Sequence, residues 1–252
     1  MISKSKIKHI RQLKLKKFRE QHQQFIVEGN INTRDYLKSD LILKEIFILD
    51  SWQIKNDITE LPLDPVVISL KEMGQISALK NPSEILGIFE IPNSSVDVDS
   101  VEDFIIALDD IHDPGNLGTI IRTADWFGIK NIICSENSVD AFNPKVVQAS
   151  MGSLSRVNIS ITNLKIFIQN LNNNVPVYGA VLDGEQTNKI KNPDPGVILI
   201  GSEANGISEE LLNLITDRIT IPMLNSNTSS QPESLNASVA CAIICYALKI
   251  KE

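Results

Sequence analysis

The sequence has few cysteines and histidines, three of each among 252 residues, and it lacks any apolar run long enough to cross a bilayer. An odd number of cysteines without a Cys-x-x-Cys pair gives neither a disulfide framework nor a zinc-ligand pattern. We therefore expect Cys134, Cys241 and Cys245 to be small buried side chains, and no metal to be bound. The N-terminus lacks the continuous apolar core of a secretory signal. These absences predict a cytoplasmic protein without a membrane partner.

Acidic residues outnumber basic ones, and the net charge of −7 alone argues against a nucleic-acid partner. Cations are nevertheless concentrated before Glu20. They are Lys4, Lys6, Lys8, Arg11, Lys14, Lys16, Lys17 and Arg19. Such a block is usually a solvated helix face, but it is also how an acidic protein presents a phosphate-binding surface. The charge pattern leaves both interpretations open.

A polar, acidic stretch from Pro92 to Val101 is typical of a linker. Before it, a basic helical start and short strand patterns predict a small α/β domain. The predicted strands are Phe25–Glu28, Glu45–Leu49, Val66–Ser69 and Ile85–Glu90, and a helix with a Ser69 cap follows the third. We assign residues 1–95 to this domain, 96–102 to the linker and 103–252 to a second domain.

In the second domain, short continuous apolar runs alternate with helical patterns. The runs are Phe104–Leu108, Asn131–Cys134, Val177–Val181, Val197–Ile200 and Arg218–Ile221. The helical patterns are Leu117–Phe127, Pro144–Ser150, Leu164–Leu171, Ser208–Ile215 and Asn236–Lys249. This alternation predicts an α/β fold whose parallel sheet is covered on both faces. Ligands of such sheets bind in loops beyond the carboxyl ends of the strands.

Three segments at strand ends carry candidate functional residues. In the first segment, Leu108–Ala124, Asn116 is placed to cap a helix and Arg122 lies about a turn and a half into it. An amide and a guanidinium near a strand end favour an anion site, although a cap and a surface cation would explain them separately.

The second segment, Val197–Ser208, contains Gly201 and Gly206, which allow close approach of a flat ligand. Its Glu203 would repel a phosphate, so a ligand without phosphates is favoured here. In the third segment, Arg218–Ala240, polar side chains gather at the start of an apolar helix, where helix capping accounts for one of them. Those side chains are Ser234, Asn236 and Ser238.

The three segments resemble the ordered motifs of the SpoU (TrmH) RNA methyltransferases. Asn116-Leu-Gly-Thr-Ile-Ile-Arg122 is similar to motif 1, and Leu199-Ile-Gly-Ser-Glu-Ala-Asn-Gly206 to motif 2. Ile221-Pro-Met with Glu233-Ser-Leu-Asn236 is similar to motif 3. The N-terminal segment, with Phe25-Ile-Val-Glu-Gly-Asn30, looks like the small RNA-binding domain of this family.

The resemblance implies a SPOUT fold with a deep trefoil knot, an exception to the usual absence of knots. It also implies a homodimer with active sites at the subunit interface. The expected reaction is methyl transfer from S-adenosylmethionine to a ribose 2′-hydroxyl of structured RNA. A separate N-terminal binding domain favours rRNA over tRNA as the substrate.

The resemblance also assigns roles to individual residues. The catalytic set is Asn116, Arg122, Glu203, Ser234 and Asn236, in which Asn116 and Glu203 orient Arg122. The cofactor-binding set is Ala180, Leu182, Leu199, Gly201, Gly206, Ile221, Met223 and Leu235. The family gives the role of general base to Arg122. Because a guanidinium hardly deprotonates, we expect this side chain to act mainly as a phosphate and transition-state contact.

Two other functions compete with this one. A non-catalytic RNA-binding or assembly protein of the same fold is disfavoured by the intact set of motif residues. A Rossmann-type nucleotide-binding enzyme is disfavoured because the phosphate fingerprint Gly-x-Gly-x-x-Gly is missing. One departure from the family pattern is the connection Leu224–Pro232, which is longer than usual and adjoins the predicted cofactor contacts.

Overall fold

The computed structural model describes residues 2–93, 101–224 and 234–250. The strands are β1 (Gln24–Glu28), β2 (Leu43–Leu49), β3 (Val66–Ile68), β4 (Ile85–Glu90), β5 (Ile105–Leu108), β6 (Asn131–Cys134), β7 (Asn158–Ile161), β8 (Val177–Gln186), β9 (Val197–Ile200) and β10 (Asp217–Thr220). The α-helices are α1 (Lys4–Gln12), α2 (Lys16–His22), α3 (Asn30–Leu37), α4 (Asp50–Lys55), α5 (Leu70–Ile76), α6 (Pro114–Trp126), α7 (Pro144–Ala149), α8 (Leu164–Gln169), α9 (Glu209–Leu212) and α10 (Ala237–Lys249). Among these described helices, none has the length and apolar character that crossing a membrane requires.

The chain separates into two compact units. The first unit comprises residues 1–93 and 140–156, and the second comprises 94–139 and 157–252. From the sequence, residues 140–156 are expected in the second domain. The structure instead groups this segment with the first unit, where Asp140 pairs with the buried Arg19 and Phe142 packs against Phe25. Most of the linker predicted at 96–102 lies outside the described residues.

The first unit is built on a four-stranded sheet with the order β1-β4-β2-β3. β4 runs antiparallel to β1 and β2, whereas β3 is parallel to β2. Ile10 of α1 and Met73 and Ile76 of α5 are buried in the core of this unit. α5 begins where the sequence predicts, because Ser69 and Glu72 form a reciprocal capping box.

The second unit contains a six-stranded, all-parallel sheet with the order β10-β8-β9-β5-β6-β7. The predicted α/β class with a parallel sheet is therefore confirmed. β5 and β9, which are entirely buried, pair in register from Ile105 with Val197 to Leu108 with Ile200. The segments that follow β5, β9 and β10 leave the sheet at the same edge, because parallel strands share the direction of their carboxyl ends.

Candidate active site

The three strand-end segments meet through hydrogen bonds between side chains far apart in sequence. Asn116 donates from Nδ2 to Glu203 Oε1, and Asn236 donates from Nδ2 to Asn116 Oδ1 over 2.9 Å. The backbone N–H of Ala237 donates to the same Glu203 oxygen over 3.3 Å. These four groups form a closed ring of contacts, which we call the loop network. It joins all three motif-bearing segments at one edge of the sheet.

Asn116 is available to the loop network because another residue caps its helix. α6 begins at Pro114, and the side chain of Asp113 accepts a hydrogen bond of 2.8 Å from the backbone N–H of Asn116. The prediction that Asn116 is the cap was wrong, since the helix starts earlier than its apolar pattern indicates. Asn116 sits in the first turn, where its amide points away from the helix backbone toward Glu203.

Asn236 has two functions in the third segment. Its Oδ1 caps α10 by accepting from Ser238 N over 3.0 Å and from Ser238 Oγ over 2.6 Å, while its Nδ2 donates to Asn116. Helix capping and the loop network thus use opposite sides of one amide. Ser234 lies two residues earlier and is exposed, without a hydrogen bond to any residue that the structure describes.

Arg122 lies on α6 about 9 Å along the helix axis from Asn116, given a rise of about 1.5 Å per residue. Its side chain is exposed and forms no hydrogen bond or ion pair with the other described residues. The expectation that Asn116 and Glu203 orient Arg122 is therefore not met, because those two side chains bond to each other. A guanidinium whose five donors have no partner among the residues that the structure describes is suited to an anion from outside the chain.

The second segment is shaped by two glycines. Ser202 and Gly206 exchange backbone hydrogen bonds of 3.1 and 2.8 Å, which closes a tight turn with Glu203 in it. Gly206 has φ +65°, which favours glycine, and a Cβ at Gly201 would lie 2.1 Å from the carbonyl carbon of Gly206. Gly201 is therefore required by the packing of its own loop, and not only by the approach of a ligand.

The predicted cofactor residues of β8 lie in an irregular stretch. Arg218 pairs with Gly179 and the next residue, Ile219, pairs with Glu185, so five residues of β8 bulge out of the ladder with β10. Leu182, in the middle of this bulge, is 78% exposed. Ala180, at its start, is half-buried. The bulge presents backbone and apolar side-chain surface that the sheet does not use.

The other predicted cofactor residues differ in exposure. Met223 and Leu235 are exposed, and Ile221 is half-buried. Leu199 is completely buried in the core of the sheet, so its side chain supports the second segment from beneath. Its assignment as a cofactor contact stays a prediction that concerns its backbone. The connection after Leu224 lies outside the described residues up to Ser234, as does Glu233 of the third motif.

Sequence reasoning missed Asp109, which follows β5 directly. Its side chain is only 6% exposed, and its Oδ2 accepts a hydrogen bond of 2.7 Å from the backbone N–H of Ser208. Its backbone N–H also continues the ladder by donating to Ile200 O over 2.9 Å. An acidic residue immediately after a buried strand was the available signal, because a carboxylate in that position needs a partner to be buried.

The cysteines are buried and unpaired, as the sequence predicts. Burial raises the pKa of the Cys134 thiol to about 12, which keeps it protonated at neutral pH. The Sγ atoms of Cys241 and Cys245 lie 3.9 Å apart on successive turns of α10. These thiols pack as small apolar groups and supply no nucleophile to the site.

The N-terminal cations are not all available to a partner. Arg19 is 2% exposed and donates to Asp140 Oδ2 and to Leu13 O. Lys6 pairs with Glu45 over 2.7 Å, and Lys14 donates to Ser77 O over 2.5 Å. Lys16 forms a long surface pair with Glu20. Among the described residues, the cations of this stretch without an ion pair or hydrogen bond are Lys4, Lys8, Arg11 and Lys17, and the Nζ of Lys17 lies 6.0 Å from the centre of the Phe18 ring.

Two family models match the chain. The model of the SpoU rRNA Methylase family covers residues 103–246, which include the whole loop network. The model of the MRM3-like substrate binding domain covers residues 4–87.

Individual relatives and solved structures agree with these matches. The chain is 29% identical over 246 residues to the 23S rRNA (guanosine(2553)-2′-O)-methyltransferase RlmP of Bacillus subtilis, covering 97% of this chain and 96% of the relative. A structure of the TrmH family from Porphyromonas gingivalis superposes with a TM-score of 0.84 at 35% identity, over 99% of this chain and 98% of that one. An AdoMet-bound rRNA methyltransferase from Sinorhizobium meliloti superposes with a TM-score of 0.83 at 29% identity, over 98% and 95%.

Proposed function

The chain belongs to the SpoU rRNA methylase family, and we propose that it transfers a methyl group from S-adenosylmethionine to a ribose 2′-hydroxyl of ribosomal RNA. The observation that carries this proposal is the loop network, which unites Asn116, Glu203 and Asn236 from three distant segments. The exposed Arg122 lies on the same helix as Asn116. A non-catalytic RNA-binding protein has no need of that arrangement.

Ribosomal RNA is favoured as the substrate class by the relatives. The Bacillus subtilis relative is named for a guanosine 2′-oxygen of 23S rRNA, and it matches this chain over nearly the full length of both. The first unit contains the segment matched by a substrate-binding model. We propose that this unit binds the RNA through its exposed cations, whose charge attracts phosphates despite the net negative charge of the protein.

The second unit fits S-adenosylmethionine better than a nucleotide phosphate. Glu203 places a carboxylate in the second segment, and no described cation pairs with it. Leu182, Met223 and Leu235 offer exposed apolar surface for an adenine or a methionyl chain. The cofactor supplies a methyl group on a positively charged sulfur, so the transfer is favourable without a metal. We propose that Ala180, Leu182, Gly201, Gly206, Ile221, Met223 and Leu235 line the site.

The chain's own residues act mainly by positioning. Arg122 binds the RNA phosphate beside the target ribose and stabilises the charge that develops on the 2′-oxygen as its proton leaves to solvent. The loop network holds the three segments so that the hydroxyl meets the methyl group in line. Ser234, exposed next to the network, hydrogen-bonds the ribose. The bond that forms joins O2′ to the methyl carbon, and the bond that breaks is that carbon's bond to sulfur.

The finer architecture belongs to the same proposal. We infer a trefoil knot because α10 begins inside the loop network, held by Asn116 and by Glu203.

We infer a homodimer because α6 and α10 leave apolar side chains uncovered: Trp126 is 86% exposed and Tyr246 60%. A Tyr246→Glu variant should sediment as a monomer. We also infer a cytoplasmic location, where ribosomal RNA is found.

The test is transfer of labelled methyl from S-adenosylmethionine to total RNA from a strain lacking this gene, compared with RNA from its parent. We expect label only in RNA from the deletion strain, recovered as a 2′-O-methyl nucleoside in an rRNA fragment. Label in tRNA would correct the substrate class. No label in either RNA, with the cofactor bound, would favour a non-catalytic RNA-binding protein.

A further inference from the structure

We propose that Asp109 is a positioning residue that fixes the second segment for cofactor binding, an inference that rests on the function proposed above. Asp109 lies at the carboxyl end of the central strand β5 and is 6% exposed. Its Oδ2 accepts from the backbone N–H of Ser208 over 2.7 Å. Among the described residues, the Ser208 N–H is the one donor to this carboxylate, and a buried carboxylate with a single donor is costly, so its presence calls for a specific purpose.

The contact anchors the end of the segment that carries Glu203. The segment is held at its start by Gly201, which packs on the backbone of Gly206, and at its middle by the Ser202–Gly206 hydrogen bonds. Asp109 fixes the remaining end, at Ser208. Strand β5 carries Asp109 and strand β9 leads into Gly201, so neighbouring strands hold the segment at both ends.

Losing this acceptor should therefore affect cofactor binding through the shape of the turn. Without Asp109, the N–H of Ser208 is unpaired and the segment from Gly201 to Ser208 is released at one end. The backbone of Gly201 and Gly206, which we propose lines the cofactor site, would lose its fixed geometry, and Glu203 would lose its alignment with Asn116. Removing a hydrogen bond to a charged group corresponds to about a tenfold change in an equilibrium constant.

The experiment compares two substitutions of nearly the same size. Asp109→Leu removes the acceptor, whereas Asp109→Asn keeps an amide oxygen in reach of the Ser208 N–H. We expect isothermal titration to show the Kd for S-adenosylmethionine raised about tenfold or more in Asp109→Leu and restored to within about threefold of wild type in Asp109→Asn. In Asp109→Leu, the rate of methyl transfer at saturating cofactor should lie closer to the wild-type value than the affinity for the cofactor does.

A matched control separates positioning from general loss of stability. Ser138 is as buried as Asp109 and accepts from the backbone N–H of Ile111 in the same unit, over 3.3 Å. Ser138→Ala should lower the melting temperature without changing the cofactor Kd.

Two results would overturn the proposal. One is an Asp109→Leu variant that binds the cofactor like wild type, and the other is an Asp109→Asn variant as weak as Asp109→Leu. If the wild-type protein itself fails to bind S-adenosylmethionine, the proposed function fails instead, so the two failures are distinct.

Discussion

The main polar clusters of the two units differ in their exposure to solvent. In the first unit, Arg19 and Asp140 satisfy each other in the interior, and Glu28 accepts from Ser77 Oγ and Ala78 N, also in the interior. In the second unit, the loop network stands at the surface, and Arg122 of the same helix as Asn116 has no hydrogen-bond or ion-pair partner among the described residues. Polar groups that satisfy one another out of reach of water hold a fold together. Polar groups that are ordered but accessible are free to act on a ligand.

This difference predicts that removing the same kind of side chain has a different effect in each unit. Removing the buried Arg19 from the first unit should cost stability, whereas removing the exposed Arg122 from the second should cost turnover. The largest effect is expected where a charge is left alone in the interior, because an unpaired buried ion keeps the full penalty of desolvation.

Arg19→Met should lower the free energy of unfolding by about 3–5 kcal/mol, since it leaves Asp140 nearly buried without its cation. Urea denaturation followed by circular dichroism measures this change. The double variant Arg19→Met, Asp140→Leu should recover most of the loss, because the pair is then replaced by apolar groups. A single variant as stable as wild type would show that the ion pair is not what holds residues 140–156 to the first unit.

Arg122→Ala should reduce the rate of methyl transfer by about 100-fold or more while leaving the melting temperature and the cofactor Kd nearly unchanged. The exposed side chain forms no hydrogen bond or ion pair with described residues that the substitution could remove. Single-turnover kinetics with saturating RNA and cofactor give the rate. Arg122→Lys serves as the control, because it keeps the charge but not the forked guanidinium. Near-wild-type turnover of Arg122→Ala would remove this residue from the catalytic set.

The sequence was most informative where backbone pattern and chemistry coincide. The parallel sheet follows from apolar runs that are buried on both faces, and the three motifs identify the family. The sequence could not predict that Asn116 bonds to Glu203, because that depends on where α6 begins, and Asp113 rather than Asn116 caps it. Strand β7 was also missed, since its pattern Asn158-Ile-Ser-Ile161 is half apolar and lies at the sheet edge.

Arg19 shows why charge in a sequence does not specify a role. It stands in a run of eight cations, yet it alone is buried, and its partner Asp140 lies 121 positions away. Nothing local distinguishes it from Lys17, which is exposed. Tertiary pairing decides which cations of a basic stretch are available to RNA.

The unpaired cations give the next, smaller effect. Replacing Lys4, Lys8, Arg11 and Lys17 by glutamine should weaken RNA binding and reduce the slope of log K against log salt by up to about 3. Filter binding between low and physiological salt measures the slope. Deleting the stretch through Arg19 would be a poorer test, because it also removes the buried Ile10 and Leu13. An unchanged slope would mean that these side chains form a solvated helix face.

The smallest expected effect is the contribution of the buried Glu28 to the pH dependence of stability. Burial raises the pKa of its carboxyl above the ordinary value of 4.5, despite hydrogen bonds from Ser77 and Ala78. In the pH window between 4.5 and the raised pKa of the folded state, the folded state binds more protons than the unfolded state. Stability therefore falls as pH rises through this window. Wild type should therefore lose stability relative to Glu28→Gln as pH increases through that window.

Glu72 provides a control of opposite sign in the same unit. Hydrogen bonds from the backbone N–H groups of Ser69 and Ile2 lower the pKa of its carboxyl to about 2. Its contribution is present above pH 4.5 and is lost as pH falls toward 2, so wild type should gain stability over Glu72→Gln as pH rises. Urea midpoints measured below pH 4.5 give the slope for Glu72, and midpoints measured above pH 4.5 give the slope for Glu28. Slopes of the same sign would contradict the interpretation of Glu28 as a buried carboxyl. Stability falls with rising pH only where burial raises the pKa of the carboxyl.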